Sequence, residues 1–149
     1  MTFNSVPFAS VVITSCNRKR DVLRAVESCY AQVGVELEVL VFDDASADQT
    51  VEAVRQVWPQ CRVFPSEHQL GYIVNRNRGF HEARGKIVFS LDDDAYFTEN
   101  DIVARICDSF LDDRVGAVAI PYIEPLDRRS ASSLKHVFCE PPGAHLRSY

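Results

Sequence analysis

Three consecutive aspartates, Asp92, Asp93 and Asp94, close a run of apolar and small residues in the stretch "KIVFSLDDDAYF", residues 86–97. Adjacent like charges repel unless something offsets them. A hard divalent cation would do so. Mg²⁺ and Mn²⁺ prefer carboxylate oxygens and fill their remaining positions with waters and phosphate oxygens. One or two aspartates beside a diphosphate would make such a site, and the cation would act as a Lewis acid for a leaving group. The plain alternative is an acidic loop feeding a helix N-terminus, where aspartates are favoured. A second acidic pair, Asp43 and Asp44, ends the run "VELEVLVFDD". Taken alone, with Ser46 behind it, that pair reads as cap chemistry.

Basic groups cluster in "NRKR", residues 17–20, and "NRNR", residues 75–78. An arginine fork suits a phosphate or a nucleobase edge. Arg78 also stands four residues before Glu82, the spacing of a solvated helical ion pair. Arg18 opens a helix, where positive charge is unfavourable, and this points to a role outside the helix. Gly79 inside a helical pattern predicts close backbone approach. His68, His81, His136 and His145 share no metal-like spacing with one another or with a cysteine. The chain has no Walker motif, nucleophile elbow or G-x-G-x-x-G.

The elements that must position these groups alternate along the chain. "FASVVITS" at 8–15 reads as a buried strand, and helical spacing follows through Val22 or Leu23, Val26 and Tyr30. Residues 35–44 form a second strand. "SADQ" at 46–49 matches a capping box in which Ser46 accepts from the Gln49 N–H. The helix behind it carries Val51, Val54 and Trp58 and stops at Pro59. A short third strand spans 61–65, a polar helix 71–85 and a fourth strand 86–91. A helix at 98–111, capped by Thr98, turns Ile102, Ile106 and Phe110 inward, and a fifth strand spans 115–122. Five such alternations predict an α/β fold, Rossmann-like, with a mostly parallel sheet and helices on both faces. Ligands then bind at the carboxyl ends of the strands, where "TSCNR", "DDAS" and "DDDA" converge. The segment 123–149 is polar, loop-rich and weakly periodic.

A length of 149 residues suits one domain with a real core. A net charge of −5 argues against nucleic acid or an anionic membrane as partner. Cys16, Cys29, Cys61, Cys107 and Cys139 are odd in number and form no C-x-x-C, a pattern of reduced cytosolic thiols. The N-terminus lacks the order of a signal peptide, and no apolar run approaches a membrane span. The expected location is cytoplasmic, including the cytoplasmic membrane face.

The order of these pieces, from about Ser10 to about Tyr122, resembles the nucleotide-sugar-binding half of inverting family 2 glycosyltransferases of the GT-A fold. The resemblance implies roles. Thr14 lies against the nucleoside, and Asn17 and Arg18 match the "N-R" beside the nucleotide. Cys16 stands where an aromatic often stacks on the base. Asp44 hydrogen-bonds the nucleobase with Asp43 beside it, and Arg76 matches the arginine of "A-R-N-x-G", here "N-R-N-R-G". Asp92 to Asp94 match "D-x-D", with Asp93 facing the ribose or sugar and Asp94, assisted by Asp92, holding Mn²⁺ or Mg²⁺.

The implied activity is transfer of a sugar from a UDP- or dTDP-linked donor to an acceptor hydroxyl on a saccharide, lipid-linked glycan or protein. Residues 1–122 would be the donor domain and 123–149 the start of an acceptor region that ends before completion. The family's base sits in a later "E-D" motif. Glu124 and Glu140 are in no such pair, so no base is assigned. One alternative is a nucleotide-binding module without transfer. Another is a metal-dependent phosphotransfer domain, although such domains carry their acids on the first strand, which here ends in "TSCN".

Overall fold

Residues 8–121 of the chain are described by a computed structural model. Contacts divide the chain into two compact units, Met1–Arg105 and Ile106–Tyr149. The first unit holds four strands: β1 (Ala9–Ser15), β2 (Leu37–Asp43), β3 (Arg62–Pro65) and β4 (Ile87–Asp92). Three helices connect them: α1 (Lys19–Tyr30), α2 (Thr50–Val57) and α3 (Tyr72–Glu82). The strands form one parallel sheet in the order β3-β2-β1-β4.

The sheet is covered on both faces because its central strands are apolar on both. Val12, Leu40 and Phe42 are buried on one face, and Phe64 stacks on Phe42 at 4.6 Å. Val11, Ile13, Val39 and Val41 alternate with them and are equally buried on the other. Each such side chain contributes about 1.5–3 kcal/mol when taken from water. Helix α3 lies on the first face through Gly79. A Cβ there would overlap Val12 Cγ1 and come within 3.2 Å of Phe42. The close approach expected of Gly79 is therefore present. Helices α1 and α2 pack on each other, and Val22, Ala25, Val26 and Cys29 of α1 are buried. Just beyond α2, Trp58 stacks on Tyr30 at 5.1 Å. Strand β4 is buried on one side only: Phe89 and Leu91 are inside, while Val88 and Ser90 are exposed.

Four local expectations differ from the structure. Ser46 does not cap α2. Its Oγ accepts the Asn17 N–H at 2.8 Å, and Gln49, at the helix start, is left-handed with φ 64°. Asp48 takes over, accepting the Thr50 N–H at 3.2 Å and the Lys19 N–H of α1 at 2.9 Å. Arg78 does not pair with Glu82, because Arg62 holds Glu82 at 3.2 Å while Arg78 turns to Asn75 and Ser66. The fourth helix, α4 (Ile102–Asp108), begins after Asp101, so Thr98 is too distant to cap it, and a 3-10 turn (Ser109–Leu111) follows. Ile106 is buried, and Ile102 and Phe110 are half-buried. Residues 115–121 form no strand, having no pairing neighbour among the described residues.

Candidate functional site

In the order β3-β2-β1-β4 the direction of chain progression reverses between β1 and β4. That reversal opens a crevice at the carboxyl ends, the usual ligand position in such sheets. Thr14 and Asp92 are register partners at its floor. A cavity of about 420 Å³ occupies the crevice. Thr14, Ser15, Cys16 and Arg18 line it from the end of β1, and Asp44 from the end of β2. Tyr72 and Arg76 reach it from α3, and Asp92, Asp93 and Asp94 from β4.

Eight of the ten residues singled out in the sequence therefore share one cavity. Asn17 and Asp43 do not line it. Asn17 is left-handed, with φ 54°, and its Oδ1 accepts the Ala47 N–H at 2.7 Å. Asp43 is buried, with Oδ2 accepting the Ser46 N–H at 3.0 Å. Asn17 ties the loop after β1 to the loop after β2, and Asp43 braces the second loop internally. Their neighbours leave two buried oxygens without a hydrogen-bond partner among the described residues, Ser15 Oγ and Asp43 Oδ1.

Asp44 is held firmly. Its Oδ1 accepts from the Leu70 N–H and from Asn75 Nδ2, both at 2.7 Å, and its Oδ2 from the Gly71 N–H at 3.1 Å. Gly71 has φ 86°, a conformation that favours glycine, and it starts α3 so that these amides face the carboxylate.

The acidic triplet carries two arginines. Arg76 lies 2.6 Å from Asp92, and Arg18 lies 2.8 Å from Asp94 and 3.7 Å from Asp93. Burial pushes the Asp93 carboxyl above its ordinary value. The Arg18 charge acts the other way without offsetting it. The turn beyond the triplet rests on α1. Arg24 stacks 3.6 Å from the Tyr96 ring centre, and the Phe97 N–H donates to Ser28 Oγ at 3.1 Å.

The donor set suits a divalent cation only as a shared site. No group of three or more His, Cys, Asp or Glu side chains forms a metal cluster among the described residues. Asp94, with Asp92, offers one or two oxygens, and a hard cation would take the rest from a diphosphate and water. Tyr72 and Ser15 are lining residues that the sequence reading missed. Tyr72 is 62% exposed. An aromatic directly after the glycine that starts a helix was the available signal.

Apart from Cys16 in the cavity lining, the described thiols are buried: Cys29, Cys61 and Cys107. Burial pushes both Cys29 and Cys61 up to about 12, and the four described cysteines are unpaired. Cys139, His136 and His145 lie outside the described residues. His68 and His81 are exposed and do not line the cavity. No described helix is long and apolar enough to cross a membrane.

The family model described as glycosyl transferase family 2 matches residues 10–144. The succinoglycan biosynthesis protein ExoO of Rhizobium meliloti is 37% identical over 92 residues, covering 61% of this chain and 26% of that protein. The hyaluronan synthase of Pasteurella multocida is 32% identical over 114 residues, covering 74% of this chain and 12% of that protein. Among solved structures, a mannosyltransferase from Pyrobaculum calidifontis in complex with GDP-Man and Mn²⁺ superposes with a TM-score of 0.69 at 27% identity, over 79% of this chain and 36% of that one. S. aureus TarS 1-349 in complex with UDP, at 23% identity, TM-score 0.63 and coverage of 79% and 38%, shares the fold. The chain thus spans about a quarter or less of the two sequence relatives.

Proposed function

The chain belongs to glycosyl transferase family 2, and we propose that it is the donor-binding part of an inverting glycosyltransferase that uses a UDP- or dTDP-linked sugar. The observation that carries this reading is the meeting of Thr14, Asp44, Arg76 and the Asp92–Asp94 triplet around one cavity at the strand reversal. Thr14 and Asp44 take the nucleoside, Asp44 through the base. Arg76 and Arg18 meet the diphosphate, and Asp93 faces the ribose or sugar. Asn17 and Asp43 support these groups from behind, and Cys16 borders the base. Bound at Asp94 and Asp92, Mn²⁺ or Mg²⁺ would neutralise the leaving diphosphate.

An acceptor hydroxyl of a saccharide, lipid-linked glycan or protein attacks the anomeric carbon opposite the departing diphosphate, and one displacement inverts the configuration. This chain's contribution is preorganised charge at the leaving group. The general base is assigned to no residue of this chain. Residues 1–122 are read as the donor domain and 123–149 as the start of the acceptor region. The unpaired thiols support a cytoplasmic location.

Diffraction from a crystal soaked with UDP and Mn²⁺ tests this directly. The expected result is metal density at Asp94 and base density beside Thr14 and Asp44. A nucleotide bound away from all three strand ends overturns the reading. In solution, Asp94→Ala is expected to abolish the Mn²⁺ dependence of nucleotide binding. A transfer assay alongside separates an enzyme from a module that binds without turnover.

A further inference from the structure

We propose that Asn75 makes the base subsite selective for uracil or thymine over guanine, by using up hydrogen-bond capacity on Asp44. This rests on the reading that Asp44 meets the nucleobase, and it names what that base must be.

A carboxylate offers about four acceptor positions, two on each oxygen. On Asp44 three are taken. Leu70 N–H and Asn75 Nδ2 fill Oδ1, and Gly71 N–H occupies one position of Oδ2. Among the described residues no other donor reaches Asp44, so one position on Oδ2 is left for a ligand. Asp44 is only 8% exposed, so little water competes there. Its neighbour Asp43 also has an oxygen without a partner among the described residues, but Asp43 is outside the cavity lining.

The orientation of Asn75 is forced by its partners. The side chain is fully buried. Its Oδ1 accepts from Arg78 Nη1 at 2.8 Å, and arginine can only donate. The amide nitrogen must then face Asp44, which can only accept when charged. Arg78 is itself held by Ser66 Oγ at 3.0 Å, so the arrangement is locked from both ends. An alanine at 75, as in the "A-R-N" form of the motif, would supply no third donor.

The pairing edges of the bases differ in the relevant respect. Uracil and thymine present one N–H between two carbonyls. Guanine presents two adjacent donors, N1–H and N2–H, which meet a carboxylate through both oxygens. One open position matches the first pattern. With Oδ1 filled, guanine would leave a donor unpaired in a desolvated crevice, which weakens binding by about tenfold or more.

The test is calorimetry of the full chain with Mn²⁺ and UDP, dTDP or GDP, on wild type and Asn75→Ala. Wild type is expected to bind UDP and dTDP at least about tenfold more tightly than GDP. Asn75→Ala reopens Oδ1 and is expected to shrink that preference about fivefold or more. A merely structural role would weaken all three nucleotides in proportion and leave the ratio unchanged, which overturns the proposal. Equal affinity of wild type for UDP and GDP overturns it too, with the donor-site reading intact. Binding of no diphosphate removes both. Circular dichroism checks the fold of the variant. If Asn75→Ala unfolds, Asn75→Ser, with a side chain too short to bridge Arg78 and Asp44, serves in its place.

Discussion

Arg18 Nη1 lies 2.8 Å from Asp94 Oδ2, so a guanidinium covers the carboxylate proposed to hold the metal. Under the proposed assignment the arginine and the cation would compete for the same carboxylate. Both side chains are about half exposed, at 49% and 59%, so water and salt screen the pair and it adds little to stability. A divalent cation competes with it easily once a diphosphate offers Arg18 another anion. Removing Arg18 should therefore tighten metal binding in the absence of nucleotide. For Arg18→Gln the expected gain in Mn²⁺ affinity is up to about fivefold, read by electron paramagnetic resonance of free Mn²⁺. Unchanged or weaker binding would show that the two do not compete.

Tyr72 presents an exposed ring at the cavity wall, with the Arg76 guanidinium 5.6 Å from its centre. It can supply the stacking surface that Cys16 lacks. Base–aromatic stacking contributes about 1–3 kcal/mol. Tyr72→Ala should weaken UDP binding by that amount, while Tyr72→Phe should retain it. Loss in both variants would assign the effect to the hydroxyl instead.

Gly79 sets how closely α3 sits on the sheet. A methyl group there collides with Val12, a buried β-branched side chain with little freedom to move. Gly79→Ala should cost about 2–3 kcal/mol, at the upper end of overpacking effects, and lower the melting temperature. It should also loosen nucleotide binding, because Arg76, Tyr72 and the Asn75 lock ride on the same helix. A variant of wild-type stability would show that α3 can retreat freely.

Glu38 links the opposite end of the sheet. It accepts from Ser10 Oγ at 2.7 Å, the Arg84 N–H at 2.7 Å and Arg62 Nη1 at 3.0 Å. Burial raises its carboxyl, but these three partners prevail and hold it below the ordinary value of 4.5. A depressed value in the folded state means stability that is present above 4.5 and lost as pH falls through the folded value. Glu38→Gln should thus cost about 1–2 kcal/mol at neutral pH. The difference from wild type should close in urea titrations taken progressively below 4.5. A constant difference at all pH values would exclude the charge as its source.

The framework was legible in the sequence where periodicity and burial coincide. β1 is a β-branched run and β2 an apolar one from Val39 onward, and both are buried on two faces there. Their acidic or polar ends identify the rim on which ligands collect. What local pattern cannot show is competition between partners. Ser46 has capping chemistry, but the Asn17 N–H reaches it first from another loop. Arg78 and Glu82 have helical ion-pair spacing, yet Arg78 turns to Asn75 and Ser66, and Glu82 is held by Arg62 from strand β3. "VGAVAIPY" has strand composition, but a strand needs a neighbour, and residues 115–121 have none among the described residues. The Asn75–Asp44 contact spans 31 positions and crosses from a helix to a strand end, so no spacing rule points to it.

The two loops that border the cavity from β1 and β2 contain three non-glycine residues in left-handed conformation, Asn17, Ala45 and Gln49. They are cross-tied by the Asn17–Ser46, Asn17–Ala47 and Lys19–Asp48 hydrogen bonds. Such conformations cost about 1–3 kcal/mol each and persist only where the surroundings over-determine them. The cavity consequently has walls of unequal stiffness. On the base side, backbone entropy has been surrendered during folding. On the acidic side, the charged tips are restrained mainly by exchangeable ion pairs. Under the proposed assignment a donor would meet a rigid mould for its base and a compliant grip for its diphosphate, and most of the ordering on binding would fall to the second.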